Sequence, residues 1–190
     1  MAYVYSASMS WYTGKGDKGD SKWFDGKDRT LKDDPRFEAL GTLDELCSTL
    51  GKVRALMNAS SGAKELTTIA TSLSAIQNDC FTIQAEVAGA DKRLPLERVT
   101  FLESLIADID KLLPPPTAFI VPGEDMLSAE CDVARTVARR AERRLVTFSR
   151  MVPVSDGALA YINRLSSVLY VFARYLIFLK GLTEKNPRYF

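Results

Sequence analysis

From Pro35 onward, apolar side chains recur every three to four positions through one long segment after another, and this period restricts the fold more than any other feature of the chain. Phe37, Leu40, Leu43, Cys47, Leu50, Val53 and Met57 follow helical spacing until Asn58-Ala-Ser-Ser-Gly62 interrupts it. Asp33-Asp34-Pro35 before that run has the character of a helix start, with acids at its mouth and proline near its first position. A second run, roughly Lys64 to Ala90, carries Leu66, Ile69, Leu73, Ile76, Cys80, Ile83 and Val87. A third, from about Pro95, carries Val99, Leu102, Leu105, Ile106, Ile109 and Leu113, and stops at Pro114-Pro-Pro116. A fourth covers about Glu124 to Ser149 and a fifth about Asp156 to Leu182. Strand candidates are confined to Val4-Tyr5 and Phe119-Ile-Val121. The expectation is an all-α fold, a five-helix bundle, in one domain over residues 1–190: a glycine-rich head (1–34) and the bundle (35–182).

That expectation bears on the head. "YTGKGDKGDS" (Tyr12 to Ser21) places Gly14, Gly16 and Gly19 as a G-x-G-x-x-G pattern, and Gly14 and Gly19 also space like P-loop glycines, with Asp20 where the loop's lysine belongs. Both motifs need a strand before the glycines and a helix directly after them. Here Lys22 to Lys32 reads as polar loop, so neither applies. Composition still suits phosphate: glycines let successive N–H groups turn inward as an anion nest, Thr13 and Ser21 add hydroxyls, and Lys15, Lys18, Lys22 and Lys32 add charge. A flexible solvated head is the plain alternative.

Charge excludes little and histidine excludes much. The 25 basic and 24 acidic residues leave a net charge of +1, so no global basicity points to nucleic acid. There is no histidine, which removes the commonest acid/base group at neutral pH and the commonest transition-metal ligand. Cys47, Cys80 and Cys131 are odd in number and far apart, as expected of buried thiols in a reducing compartment. The apolar run Ser167 to Leu179 is broken by Arg174 and reads as too short for a bilayer. The first dozen residues lack a secretory pattern. The expected setting is the cytoplasm, or the mitochondrial matrix if a presequence has been removed, with no membrane and no nucleic acid.

The densest chemistry lies in "ARTVARRAERRLV", Ala134 to Val146. At about 100° per residue, Arg135 and Arg139 lie within about 40° of each other, with Glu142 on the same stripe. Ala134, Ala138, Ala141 and Leu145 form a separate apolar strip, while Arg140 and Arg144 face elsewhere. Two guanidinium forks one turn apart suit a polyphosphate. A solvated charged face with i,i+3 and i,i+4 pairs is the ordinary alternative. On the first helix, Asp44 sits among Phe37, Leu40, Gly41, Ser48 and Gly51, where an acid is costly unless paired. Arg135, from another helix or another copy, is the natural partner; a wet helix edge is the other reading. On the fifth helix Asn163 and Ser167 lie one turn apart beside an apolar face, where Asn163 could read a base or sugar or bond to backbone. Arg164 and Arg174 read as surface or interface charges, and Tyr161, Tyr170, Phe172 and Tyr175 as core or subunit contact. Phe119 is less routine, because an apolar connector should be covered by something.

Taken in order, "YTGKGDKGDS", "KDDPRFEALGTLDELCSTLG", "FIVPGE", "ARTVARRAERRLV" and "INRLSSVLYVFAR" resemble the PduO-type ATP:cob(I)alamin adenosyltransferases over most of the chain. The resemblance implies a homotrimer with active sites between subunits. ATP would be held by the head of one chain and, largely, the arginine helix of its neighbour. The implied ATP contacts are Thr13, Gly14, Lys15, Gly16, Asp17, Gly19, Ser21 and Lys32 from the head, Arg139, Arg140, Glu142 and Arg143 from the arginine helix, and Asn163. Arg139, Arg135 and Asp44 would be the catalytic set, Arg135 pairing with Asp44 across the interface. Phe119 would close the lower face of the corrin and displace its axial base. Pro122-Gly123-Glu124 stands where the family usually has a second glycine, and Gly14, Lys15 and Ser167 also differ from its usual residues. The implied reaction moves the 5′-deoxyadenosyl group of ATP to cob(I)alamin, giving adenosylcobalamin and triphosphate, with Mg2+ accompanying ATP and no metal site in the protein. A cobalamin reductase and an adenosylcobalamin-dependent enzyme would be its partners. A non-catalytic ATP- and corrinoid-binding bundle, a carrier or sensor, is the alternative.

Overall fold

The computed structural model describes residues 11–23, 29–60 and 63–190. Five helices carry it: α1 (Pro35–Ala59), α2 (Lys64–Val87), α3 (Glu97–Asp110), α4 (Met126–Ser149) and α5 (Asp156–Leu179). The all-α bundle expected from the apolar period is the fold observed. α4 packs against α1 and α5, α2 against α1, and α3 against α5. The strand candidate Val4-Tyr5 lies outside the described residues.

Local chemistry sets the helix ends. The Asp34 carboxylate accepts from the Arg36 N–H at 2.8 Å and Pro35 opens α1, as its sequence implied. Asp125 caps α4 by accepting from the Ser128 N–H (3.1 Å), two positions into the segment assigned from about Glu124. α3 is shorter than expected. It begins after Pro95 and ends at Asp110, because Pro114 bars the helical conformation for the residue before it and the last turn unwinds ahead of it. α5 ends at Leu179, not Leu182: Gly181 adopts φ +62°, its N–H donates to Phe178 O (3.0 Å) and the Leu182 N–H donates to Ile177 O (3.1 Å). That left-handed glycine with its paired bonds closes the helix as a Schellman motif.

Part of the segment read as polar loop is paired strand. β1 (Asp20–Lys22) and β2 (Arg29–Leu31) pair antiparallel with Ser21 opposite Thr30. The connector also carries one strand-like bridge, Val121 with Lys185.

The apolar stripes converge as predicted. Leu43, Leu46, Leu50, Leu73, Ile76, Ile83, Leu102, Leu145, Ile162, Leu165 and Leu169 are fully buried. Ala134, Ala138 and Ala141 are fully buried too, and their small side chains let α4 lie close between α1 and α5. Gly51 has a similar use on α1. A Cβ there would stand 3.0 Å from Gln77 Nε2 of α2, which donates to the Cys47 carbonyl at 3.0 Å.

Among the buried polar clusters, two join side chains of different helices. Asp79 of α2 accepts from Arg98 Nε and Nη2 of α3 (2.9 and 2.7 Å) and from the Tyr161 hydroxyl of α5 (2.7 Å). Asp132 of α4 accepts from Arg174 of α5 (2.6 Å) and from Arg135 (3.0 Å). Arg174 is therefore no surface charge. It is 9% exposed, paired on its other side with Glu184 (2.8 Å), and lies over the Tyr170 ring. The α5 helix as a whole, 24 residues, is long and apolar enough to cross a membrane, which the run assigned from Ser167 was not. Its length is instead used to face α3 and α4, with Arg174 neutralised inside.

Cys47, Cys80 and Cys131 are unpaired and buried, as their number and spacing implied. Burial pushes all three thiols up, that of Cys131 to about 12. Thiolates, not thiols, attack a disulfide reagent. The native chain is thus expected to give no rapid reaction with an aromatic disulfide reagent, and all three sulfurs in guanidinium. A fast equivalent under native conditions would contradict this packing.

Candidate functional site

The head is built by turns and one ion pair. Gly14 and Gly19 take φ of +65° and +81°, conformations that favour glycine, and the chain tightens through Asp17 N–H to Gly14 O (3.3 Å) and Gly19 N–H to Gly16 O (3.2 Å). Lys32 binds back to the loop. Its backbone N–H donates to Gly19 O (2.9 Å) and its ammonium to Gly16 O (2.9 Å), and a Cβ on Gly16 would come within 3.0 Å of that ammonium. The Thr13 hydroxyl accepts from the Lys15 N–H at 3.4 Å. Thr13, Lys15, Asp17, Lys18 and Gly19 are exposed, and Ser21 is half-buried in β1.

Asp20, which occupies the position of a P-loop lysine, has its own partner. Arg29 grips it with two guanidinium nitrogens (2.7 and 2.8 Å) and also donates to the Asp20 and Lys15 carbonyls. The hydrogen bonds from Arg29 hold the Asp20 carboxyl below the usual carboxylate range. Arg29 is the residue that sequence reasoning missed here. Its only cue was position in a short strand that polarity disguised.

On α4 the stripe stands as its angles required. Arg135 is half-buried, with Nε fixed on Asp132, while Arg139 and Arg143 are exposed and their guanidinium groups make no hydrogen bond or ion pair among the described residues. Glu142 accepts from Asn163 Nδ2 at 2.6 Å, so two residues singled out separately on α4 and α5 form one unit. Arg140 is drawn away from this stripe to Glu45 of α1, and Arg144 pairs with Glu38 at 2.9 Å.

Asp44 is exposed and has no ion pair within the protomer among the described residues. A Cβ on Gly41 beside it would meet nothing within 4 Å. The two glycines of that arc thus differ: Gly51 admits α2, whereas Gly41 faces open space. Phe119 is 80% exposed on its connector. Thr13 to Ser21 form no hydrogen bond or ion pair with α4, and the described cavities are lined by none of Arg135, Arg139, Glu142 or Asn163. Within one protomer the predicted residues therefore stand in four separate places: the head, the α4–α5 stripe, the Phe119 connector and Asp44 on α1.

Fold and site together define a helical bundle bearing an open cationic stripe and a glycine-stapled head, in place of an enclosed pocket. The sequence profile of the family described as cobalamin adenosyltransferase matches residues 11–176, and the chain belongs to that family. It is 39% identical over 170 residues to a corrinoid adenosyltransferase of Citrobacter freundii, covering 86% of this chain and 92% of the relative. The corrinoid adenosyltransferase MMAB of Homo sapiens is 37% identical over 183 residues, 92% of this chain and 71% of that one. Among solved structures, a phenylalanine-to-histidine variant of the PduO-type ATP:corrinoid adenosyltransferase from Lactobacillus reuteri, complexed with cobalamin and ATP, superposes with a TM-score of 0.84. It is 30% identical and covers 94% of this chain and 97% of its own.

Proposed function

We propose that this chain transfers the 5′-deoxyadenosyl group of ATP to cob(I)alamin, releasing triphosphate. Cobalt(I) supplies an electron pair to the ribose C5′ carbon, the C5′–O bond breaks, and the pair on that oxygen leaves with triphosphate while cobalt becomes cobalt(III). No proton needs to move, which suits a chain without histidine. The protein must orient two large ligands and stabilise charge growing on the leaving group.

The observation that carries the reading is Arg139, a guanidinium without a hydrogen bond or ion pair among the described residues, aligned with Arg143 and with an Arg135 whose Nε is already fixed. Unpaired and exposed, Arg139 can turn both arms of its fork onto phosphate oxygens. The Glu142–Asn163 pair beside it offers an acceptor and an amide to a ribose or base. The separation of head, stripe and connector supports a site completed by neighbouring copies in a trimer. There Asp44 would meet the Arg135 donors that Asp132 leaves free, and Phe119 would lie against the corrin. Magnesium fits as the counter-ion of the triphosphate: no three carboxylates or thiols converge among the described residues, and the stripe itself is cationic.

Reducing cobalamin to cob(I)alamin, adding Mg-ATP and following the spectrum is expected to give adenosylcobalamin. Mg-ATP at hundredfold excess over its Kd should add about 2.7 kcal/mol of stability. Stabilisation without the new spectrum would reduce the chain to a nucleotide-binding carrier. If neither the new spectrum nor the stabilisation appears, both readings fail.

A further inference from the structure

The chain beyond α5 does not leave the bundle. After the turn at Gly181 it doubles back, and three successive contacts fasten it. Glu184 pairs with the buried Arg174 (2.8 Å), which Asp132 holds from the far side (2.6 Å). The Lys185 carbonyl accepts from the Val121 N–H at 2.8 Å, and its ammonium pairs with Glu124 at 2.9 Å. Val121 lies two residues after Phe119, and Glu124 just past the Gly123 turn, where φ is +128°.

The connector has little else. Among the described residues, 114–122 make a single hydrogen bond, the one from Val121 to Lys185. Beneath them is a cavity of about 510 Å³, walled by Ala118 and Ile120 on the connector side and by Leu182 and Asn186 on the tail side. The segment bearing Phe119 is thus suspended over a void and moored at one edge by the tail.

We infer that residues 183–186 are a positioning element for Phe119, with Lys185 as its central residue, and that they set where the connector holds the ring against the corrinoid. This rests on the adenosyltransferase reading above. Phe119 is 80% exposed and has no ring contact among the described residues, so the backbone beside it must fix its place. A displacement of about 1 Å in a group that orients a reactant costs on the order of 10²-fold in rate.

Truncation after Leu182 provides the test. The Val121 amide is expected to exchange its hydrogen faster than in the full chain. The kcat for corrinoid should fall by about 10- to 100-fold, and more bound cob(II)alamin should keep its axial base by electron paramagnetic resonance. The Mg-ATP stabilisation should change less than corrinoid turnover, because the Arg139 and Arg143 side chains make no hydrogen bond or ion pair with the tail and Glu184 reaches Arg135 only through Arg174 and Asp132. Unchanged exchange at Val121, unchanged corrinoid turnover, or an equal loss of ATP binding would each overturn the inference. Should truncation prevent folding, Lys185→Glu sets like charges against Glu124 and is expected to slow turnover by up to about fivefold, the range of a surface pair. Adding Glu124→Lys should restore it, and a double variant no better than the single would overturn the assignment. If the full chain forms no adenosylcobalamin, the functional reading fails, and amide exchange at Val121 alone decides whether the tail positions the connector.

Discussion

Arg139→Ala is expected to lower the rate of adenosylcobalamin formation by about 10²–10³-fold, the usual cost of one electrostatic contact made in the transition state. The fold should hardly register the change. Arg139 is exposed and has no hydrogen bond or ion pair among the described residues, so its loss removes nothing that holds α4 in place. Such a surface change alters stability by about 0.5 kcal/mol or less, or roughly 2 °C in a chain of this size. Arg144 supplies the control. It lies on the same helix, but its guanidinium is on Glu38 at 2.9 Å. Arg144→Ala should cost about 0–1 kcal/mol and leave kcat unchanged. Equal losses in the two variants would mean that α4 attracts phosphate through general positive charge and not through the stripe; near-normal turnover in Arg139→Ala would sink the assignment.

Asp79→Ala should show the opposite pattern, large in stability and without a specific effect on either ligand. The carboxylate is 8% exposed and receives two nitrogens of Arg98 together with the Tyr161 hydroxyl, which ties α2, α3 and α5 at one point. Removing it strands a guanidinium and a fully buried phenol, at a cost of about 3–5 kcal/mol. That corresponds to roughly 6–20 °C in melting temperature. Tyr161 adds a signature in pH. Burial, and then its hydrogen bond to Asp79, hold the phenol protonated well above the usual tyrosine range. An unfolded chain releases that proton at about pH 10, whereas the native one keeps it. The stabilisation is therefore complete below about pH 10 and drains away as pH rises beyond it. Tyr161→Phe should flatten the alkaline limb of the stability curve; an unaltered limb would mean that another group controls it.

These two expectations differ in how far the sequence exposed them. The helices were legible because a stripe such as Leu43, Leu46, Leu50 and Val53 repeats one period over many turns, and a cap such as Asp34-Pro35 is written in adjacent residues. The arginine stripe was legible for the same reason, since residues on one helix have fixed mutual angles. Long-range pairing was not. Arg174 interrupts an apolar run and reads as a surface or interface charge, because its partner Asp132 stands 42 residues away on another helix. The Asp79 cluster is hidden in the same manner, its members spread over three helices. The strand pair escaped because strands of three residues offer too few positions for alternation to show, and Asp20 and Arg29 become meaningful only once they face each other. Asp44 lies between these cases. Its place among small and apolar residues was legible, but in the protomer it is exposed and has no ion pair among the described residues, and the partner proposed for it would lie on another copy of the chain.

The three unlinked sulfurs carry a consequence for the conditions under which such a protein works. Keeping cobalt in its lowest oxidation state requires a reducing potential at which ordinary crosslinks between cysteines would be cleaved. A fold stitched by such links would come apart in the medium that the proposed cob(I)alamin substrate would demand. This chain has none to lose: Cys47, Cys80 and Cys131 are buried as free thiols, so no crosslink between them holds its architecture.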